Sequence, residues 1–282
     1  MDFTNLLLNI NNKENAYVLG MIYGWPLYDS EFKHLFAYSN YKKGPRIERV
    51  FGNVDMNYYY NLHKEKLIKF LNTNNSVVVD NEYIKENFKF DTGQNIGAGV
   101  SIIINIKNKN DNINKEIYIL SQIEKALIDA NPEAKKYFII GLMDARGSLD
   151  FNHKYIAIDV ANKKNPEIVK RKMNKFGDLI GMIFNFNPRI LQKEANRKND
   201  QFRIDLKYYI GHFGLLNPFK IEYYKKEMPG YEEKILDKFL FIDKKFEDVK
   251  ISSLLFKRDN LKINEFAIEM NNKNLSDEER SK

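Results

Sequence analysis

The residues that could do chemistry are few, and their types exclude most of it. The 282-residue sequence has no cysteine. Thiolate metal sites, disulfides and a cysteine nucleophile are therefore excluded. Its histidines, His34, His63, His153 and His212, are scattered, with no two at the i,i+4 spacing of a helical zinc pair. "GQNIGAG" (Gly93–Gly99) lacks the strand–helix setting of a dinucleotide loop and has no following Lys-Ser/Thr, so it is expected to be a loop and not a phosphate cradle. What remains is a pair of related apolar segments with chemistry at their ends, "YVLGMIYGWPLY" (Tyr17–Tyr28) and "FIIGLMDARGSLDF" (Phe138–Phe151). The second carries Asp144 and Arg146 before Gly147, with Asp150 beyond. The first carries Trp25 before Pro26, with Asp29 beyond. Arg146 is a permanent cation with no lone pair to offer a metal, and its donors suit a phosphate.

Other cations cluster away from these segments. "YKKGPRIER" gathers Lys42, Lys43, Arg46 and Arg49 around a Gly-Pro turn. "EANRKNDQFR" puts Arg197 and Lys198 at an expected hairpin tip, and Lys154 follows the expected turn at Asn152-His153. In "QFRIDLKYY" the polar Gln201, Arg203, Asp205 and Lys207 alternate with Phe202, Ile204 and Leu206. That is a strand with one buried face and one face turned to a polar partner. "VKRKMNK" (Val169–Lys175) is instead the exposed face of an amphipathic helix. The formal net charge of +7 and pI near 9.1 favour a polyanionic partner, most often nucleic acid. The chain is also rich in Asn, Lys, Ile, Phe and Tyr, as AT-rich coding would make it.

The elements that must hold these groups follow from periodicity. The two apolar segments repeat at 121 residues (141 − 20, from Gly141 and Gly20), which points to duplication. Asn131-Pro132-Glu133 supplies an N-cap, a first-turn proline and an early acid, predicting a helix to about Arg146 closed by Gly147. In the first segment Asn11 or Asn12 can cap and Pro26 forces the exit. Small residues at i,i+4, Gly20 with Gly24 and Gly141 with Ala145, would let the two helices approach closely. "DMNYYYNLHKEKLIKFLN" and "NPEIVKRKMNKFGDLIGMIF" read as amphipathic helices. "AGVSIIINIK", "PRILQKEA" and "QFRIDLKYY" read as strands. The predicted fold is α+β, with an N-terminal half at 1–125, a C-terminal half at 126–220 and a helical extension with a polar tail at 221–282. Asp2 and Glu14, with no arginine before Arg46, argue against a signal or transit peptide. No apolar run reaches the roughly 20 residues of a membrane span.

Both segments resemble the signature helix of the LAGLIDADG homing endonucleases. The match lies in Val18-Leu19-Gly20-Met21-Ile22-Tyr23-Gly24-Trp25-Pro26 and Ile139-Ile140-Gly141-Leu142-Met143-Asp144-Ala145-Arg146-Gly147. "RIDLKYYIGHFGLLNPFK" looks like the closing part of such proteins. The resemblance implies two pseudo-symmetric αββαββα halves in one monomer, with paired signature helices and antiparallel sheets forming a saddle for nucleic acid. It also implies that, in active relatives, the acid before each final glycine holds divalent metal against the scissile phosphates. Those positions here are Trp25 and Arg146, neither of which binds Mg²⁺. Asp144, about 200° around the helix from Arg146, is expected to serve as a local hydrogen-bonding or salt-bridge group. Asp29 and Asp150 are the carboxylates a rescue would need.

The expectation is a binding protein with no catalytic residue and no cofactor. Its expected partner is RNA, with DNA and other proteins of a ribonucleoprotein as further candidates. The role would be structural in an organellar particle such as a mitochondrial ribosome, or that of an intron maturase, with an organelle-encoded origin. The competing expectation is a Mg²⁺-dependent, sequence-specific DNA endonuclease using displaced carboxylates.

Overall fold

In a computed structural model of the chain, the described residues are 1–40, 52, 55–72, 77–78, 84, 86–90, 99–107, 114–152, 154–159, 189–191, 201–206, 209–210 and 213–227. They fall into two compact units, Met1–Ile158 with Asp205–Lys244, and Asp159–Ile204 with Lys245–Lys282. The larger unit runs α1 (Phe3–Leu8), α2 (Lys13–Gly24), β1 (Leu27–Tyr28), β2 (His34–Asn40), α3 (Met56–Leu71), β3 (Val77–Val78), β4 (Gly99–Asn105), α4 (Lys115–Ile128), α5 (Pro132–Arg146), β5 (Ser148–Asp150) and β6 (Tyr155–Asp159), and takes in α6 (Pro218–Glu227). In the smaller unit, β7 (Arg189–Leu191) pairs antiparallel with β8 (Gln201–Asp205). The fold is α+β with antiparallel sheets, and α2 to α4 follow the expected α-β-β-α-β-β-α order. The amphipathic helix expected from "NPEIVKRKMNKFGDLIGMIF" lies outside the described residues.

Local chemistry sets the helix boundaries. Asn12, Asp55, Asn114 and Asn131 each accept, through a side-chain oxygen, from an amide two or three residues on. Asn11 does not cap its own helix; its Oδ1 accepts the backbone N–H of Asn131 at 2.8 Å, joining the starts of α2 and α5. Trp25 is extended (φ −154°), as a residue before proline must be, and this ends α2. α3 ends on Asn72 in the left-handed region (φ 48°). Gly147 closes α5 at an ordinary φ of −65°. Its glycine is explained by crowding: a Cβ there would lie 2.6 Å from the Met143 carbonyl oxygen and 2.9 Å from Ile156 Cδ1.

The first sheet has strand order β1-β2-β4-β3. Its register places Leu35, Ala37 and Ser39 beside Ile104, Ile102 and Val100 on one face. That face is fully buried against α2 and α5. His34, Phe36 and Tyr38 pair with Asn105, Ile103 and Ser101 on the other face. Farther on, β5 and β6 form the expected hairpin, with Ser148 opposite Ala157 and Asp150 opposite Tyr155. Lys154 takes the left-handed turn position (φ 57°). Along β8, Ile204 and the following Leu206 are buried, Arg203 is half-buried and Asp205 is exposed, as the alternation predicts.

Candidate functional site at the base of the paired helices

The site is built on the contact between α2 and α5. A Cβ on Gly20 would lie 2.0 Å from the carbonyl oxygen of Phe138, and a Cβ on Gly141 would lie 2.0 Å from that of Tyr17. The two contacts are reciprocal, since each glycine meets the carbonyl three residues before its counterpart. Neither site can accept a methyl group without backbone movement. Gly24 is tighter against side chains than against backbone, its Cβ position lying 2.5 Å from Arg146 Cγ and 2.9 Å from Leu142 Cδ1. Its counterpart Ala145 is buried with its methyl in place.

Where the two helices end, Trp25 and Arg146, at the positions where the resemblance implies acids, meet each other. The Arg146 guanidinium carbon lies 4.4 Å from the centre of the Trp25 ring, a cation–π contact. Trp25 in turn packs edge-on against Tyr38 of β2, with ring centres 6.0 Å apart. A cation and an indole thus occupy the place that the resemblance gives to a metal and two carboxylates.

Asp144 lies two residues before Arg146 and is fully buried. One carboxylate oxygen accepts three hydrogen bonds, from the Tyr17 hydroxyl at 3.0 Å and the backbone N–H groups of Leu216 at 2.9 Å and Asn217 at 3.2 Å. Its other oxygen has no hydrogen-bond partner among the described residues. Asn217 continues the network: its amide donates to Ser39 Oγ at 3.1 Å, and Ser39 Oγ donates to the Asp144 carbonyl at 3.2 Å. The Asn217 side-chain oxygen accepts from Phe219 and Lys220, capping α6. Lys220 then donates to the carbonyls of Met143 and Gly147, both at 2.6 Å, and neutralises the C-terminal end of α5.

Burial pushes the Asp144 carboxyl up, while Lys220 and the three hydrogen bonds oppose that rise. Burial pushes the Lys220 ammonium down; Asp144 opposes this and Arg146 adds to it. His63 of α3, also buried, is pushed down to about 3 by burial and by the charges of Lys220 and Lys66. It is a neutral core imidazole. Tyr209 is held protonated by burial and by the nearby Asp144 charge.

The substitute carboxylates are placed differently. Asp29 is buried and committed to its own turn. Its Oδ1 accepts from the backbone N–H groups of Lys33 at 2.7 Å and His34 at 3.0 Å, and its Oδ2 lies 2.8 Å from His34 Nδ1. Asp150 is half-buried on β5. Among the described residues, no group of three or more His, Asp or Glu side chains could hold a metal ion, and no helix is long and apolar enough to cross a membrane.

Of the expected nucleic-acid contacts, Arg146 is half-buried on Trp25, Lys154 is exposed at its turn and Arg203 is half-buried on β8. Lys42, Lys43, Arg46, Arg49, Arg197, Lys198 and Lys207 lie outside the described residues, as does the side chain of Gln201. Lys220 and Asn217 were not foreseen as part of the site. "LLNPFK" did hold their signal, an Asn before a first-turn proline.

No family profile and no curated relative matches the sequence. Among solved structures, the chain is similar to I-DmoI crystallised with DNA and Mn, at 18% identity, covering 73% of this chain and 97% of that one, with a TM-score of 0.35. It is likewise similar to the mesophilic variants of the homing endonuclease I-DmoI, at 19% identity, 73% and 97% coverage and a TM-score of 0.34. A third similarity is to the N-terminal LAGLIDADG domain of DUF199/WhiA, at 13% identity, 73% and 84% coverage and a TM-score of 0.34.

Proposed function

We propose that this is a nucleic-acid-binding protein on a LAGLIDADG-like scaffold that binds without cleaving. The observation that carries this reading is the Trp25–Arg146 stack at the base of the paired helices. Metal-assisted phosphodiester cleavage needs carboxylates held tightly around the reacting phosphate. Both positions that would supply them are filled by groups with no lone pair for a metal, and they are packed against each other. Asp29 supports the same reading, because its oxygens are already used by two backbone amides and an imidazole. The net charge of +7 favours a polyanion.

RNA is the favoured partner. Proteins resembling this family that lose their acids persist as intron maturases or as components of RNA particles, and the AT-biased composition resembles organelle-encoded members. A structural place in an organellar ribonucleoprotein, such as a mitochondrial ribosome, would account for a binding scaffold kept without its chemistry.

The test is direct. Purified protein is incubated with RNA and with a DNA target library, each with Mg²⁺ or with EDTA. Retention of RNA in EDTA, with no cleaved DNA in Mg²⁺, is the expected result. Specific DNA cleavage that Asp150→Asn or Asp29→Asn abolishes would establish the endonuclease instead. Co-migration with ribosomal subunits on a gradient separates a structural role from that of a maturase.

A further inference from the structure

The first sheet has two faces, and the helices cover one. The other is the face a saddle-shaped sheet would turn to nucleic acid; its edge at His34 and Asn105 is polar and partly open, but its middle is apolar and closed. Leu27, Phe36 and Tyr38 stand on it and form one apolar cluster with Ile84, all four buried. Trp25, Phe88, Phe90 and Ile103 pack around them. Phe88 meets Phe36 and His34 edge-on at 5.0 and 4.9 Å between ring centres, and Phe90 lies 5.2 Å from Phe36.

The residues that cover this face come from the connection between β3 and β4, and backbone bonds pin them. Phe88 N–H donates to the Ile84 carbonyl at 2.9 Å, closing one helical turn. Ser30 N–H donates to the Lys89 carbonyl at 2.5 Å, and Asp29 bridges to Phe90. The turn that ties up the Asp29 carboxylate is thus also the anchor of the cover. Aromatic pairs of this kind add stability beyond the area they bury. Base edges cannot be read through such a layer, because direct readout needs side-chain donors and acceptors reaching the groove.

We propose that nucleic acid is read by one half only. The middle of the first sheet is closed by its own strap of Ile84, Phe88 and Phe90, and sequence-reading contacts fall on the second half, where β8 alternates polar and apolar residues. This rests on the nucleic-acid reading above and narrows it to one sheet.

The experiment is hydrogen exchange on the full chain, alone and saturated with a random single-stranded RNA pool, followed by ultraviolet crosslinking of the same complex. In the free chain the amides of His34–Asn40 and Phe88 should exchange at least 100-fold more slowly than exposed helix-end amides. Exchange at loop rates would overturn the closed face whether or not RNA binds. With RNA, these amides should change less than 2-fold, and crosslinks should map to 201–206 and not to 34–40 or 84–90. Crosslinks on Phe36 or Tyr38 peptides, or faster exchange at Phe88, would overturn one-sided reading. Retention of no RNA would instead sink the binding reading, leaving the free-chain result to decide the strap. The double variant Phe88→Ala/Phe90→Ala should speed exchange along β2 with RNA affinity within 2-fold. A gain of 5-fold or more would make the strap an inhibitor of a reading face.

Discussion

The two paired helices, α2 and α5, share a backbone contact and differ in almost every side chain that leaves it. Position by position, Tyr23 stands in the first where Asp144 stands in the second, and Trp25 where Arg146 stands. Tyr23 sends its hydroxyl to Glu124 of α4 at 2.9 Å, while Asp144 collects Tyr17 and the amides of Leu216 and Asn217. In each half the side chain at this position fastens the element that ends the half, α4 in one and the start of α6 in the other. The carboxylate sits on the signature helix in the second half and on the partner helix in the first. Two residues farther on, at the positions where the resemblance implies a pair of acids, the two helices carry a stacked indole and guanidinium. The backbone contact has little freedom because any added atom collides with main chain. The side chains around it could drift as long as each buried polar group found a partner.

Substituting the reciprocal glycines tests the shared part. Gly20→Ala and Gly141→Ala should each cost roughly 3–5 kcal/mol in urea unfolding, at the upper end for overpacking, and by similar amounts. Gly24→Ala should cost less, about 1–3 kcal/mol, because the atoms it meets, Arg146 Cγ and Leu142 Cδ1, belong to side chains and not to main chain. A large difference between Gly20→Ala and Gly141→Ala would break the reciprocity.

The divergent part is tested next. Asp144→Ala strands three buried donors and should cost about 3 kcal/mol. Asp144→Asn should be much milder, because an amide oxygen can take the place of the carboxylate oxygen that accepts them. Tyr23→Phe removes one bond and should cost about 1–2 kcal/mol. A cost for Tyr23→Phe as large as that of Asp144→Ala would mean the two fastenings carry equal weight.

His63 reports on how dry its core site is, because burial is the main cause of its lowered pKa and the charges of Lys220 and Lys66 only add to it. Its folded pKa of about 3 lies below the ordinary value of 6.5, so its contribution is complete above pH 6.5 and is lost as pH falls toward 3. Relative to wild type, His63→Leu should therefore gain about 2–3 kcal/mol between pH 7 and pH 4.5, at up to 1.36 kcal/mol per unit. Asp144 is common to both proteins and drops out of the difference. A flat difference would place His63 in a wetter site.

The smallest effect is expected at the stack. Arg146→Met should lower stability by about 0.5–1 kcal/mol, the scale of a partly exposed cation–π contact. It should also shift the emission of Trp25, the single tryptophan. An unchanged spectrum would mean the two groups do not touch in solution.

Much of this was legible in the sequence, for local reasons. Asn131-Pro132 fixes where α5 begins, Trp25-Pro26 fixes where α2 ends, and the i,i+4 glycines mark the face they share. The alternation in "QFRID" foretold which side chains of β8 are buried. What sequence did not show is long-range. The Trp25–Arg146 stack joins residues from different helices, and no spacing rule relates an indole to a guanidinium. α1, α4 and the strand His34–Asn40 were not singled out; the run "HLFAYSN" is buried on both faces and lacks the alternation that marks a half-exposed strand. The strap was hidden because Phe88 and Phe90 resemble any loop aromatics until the sheet they cover is known. Lys220 owes its role to Asn217, whose capping turn delivers it to the end of α5.

The reciprocal glycine contact has a consequence for how such a chain can be divided. An interface in which residue i of one helix meets residue j of the other, and the counterpart of i meets the counterpart of j, is isologous, the arrangement of a twofold homodimer. Here both helices belong to one chain. Covalent linkage makes the pairing intramolecular and raises the effective concentration of each helix for the other. That allows the two sides to differ, as Trp25 and Arg146 do. A complementary fit between unlike residues at the rim, such as indole on guanidinium, then disfavours the return of either half to self-pairing.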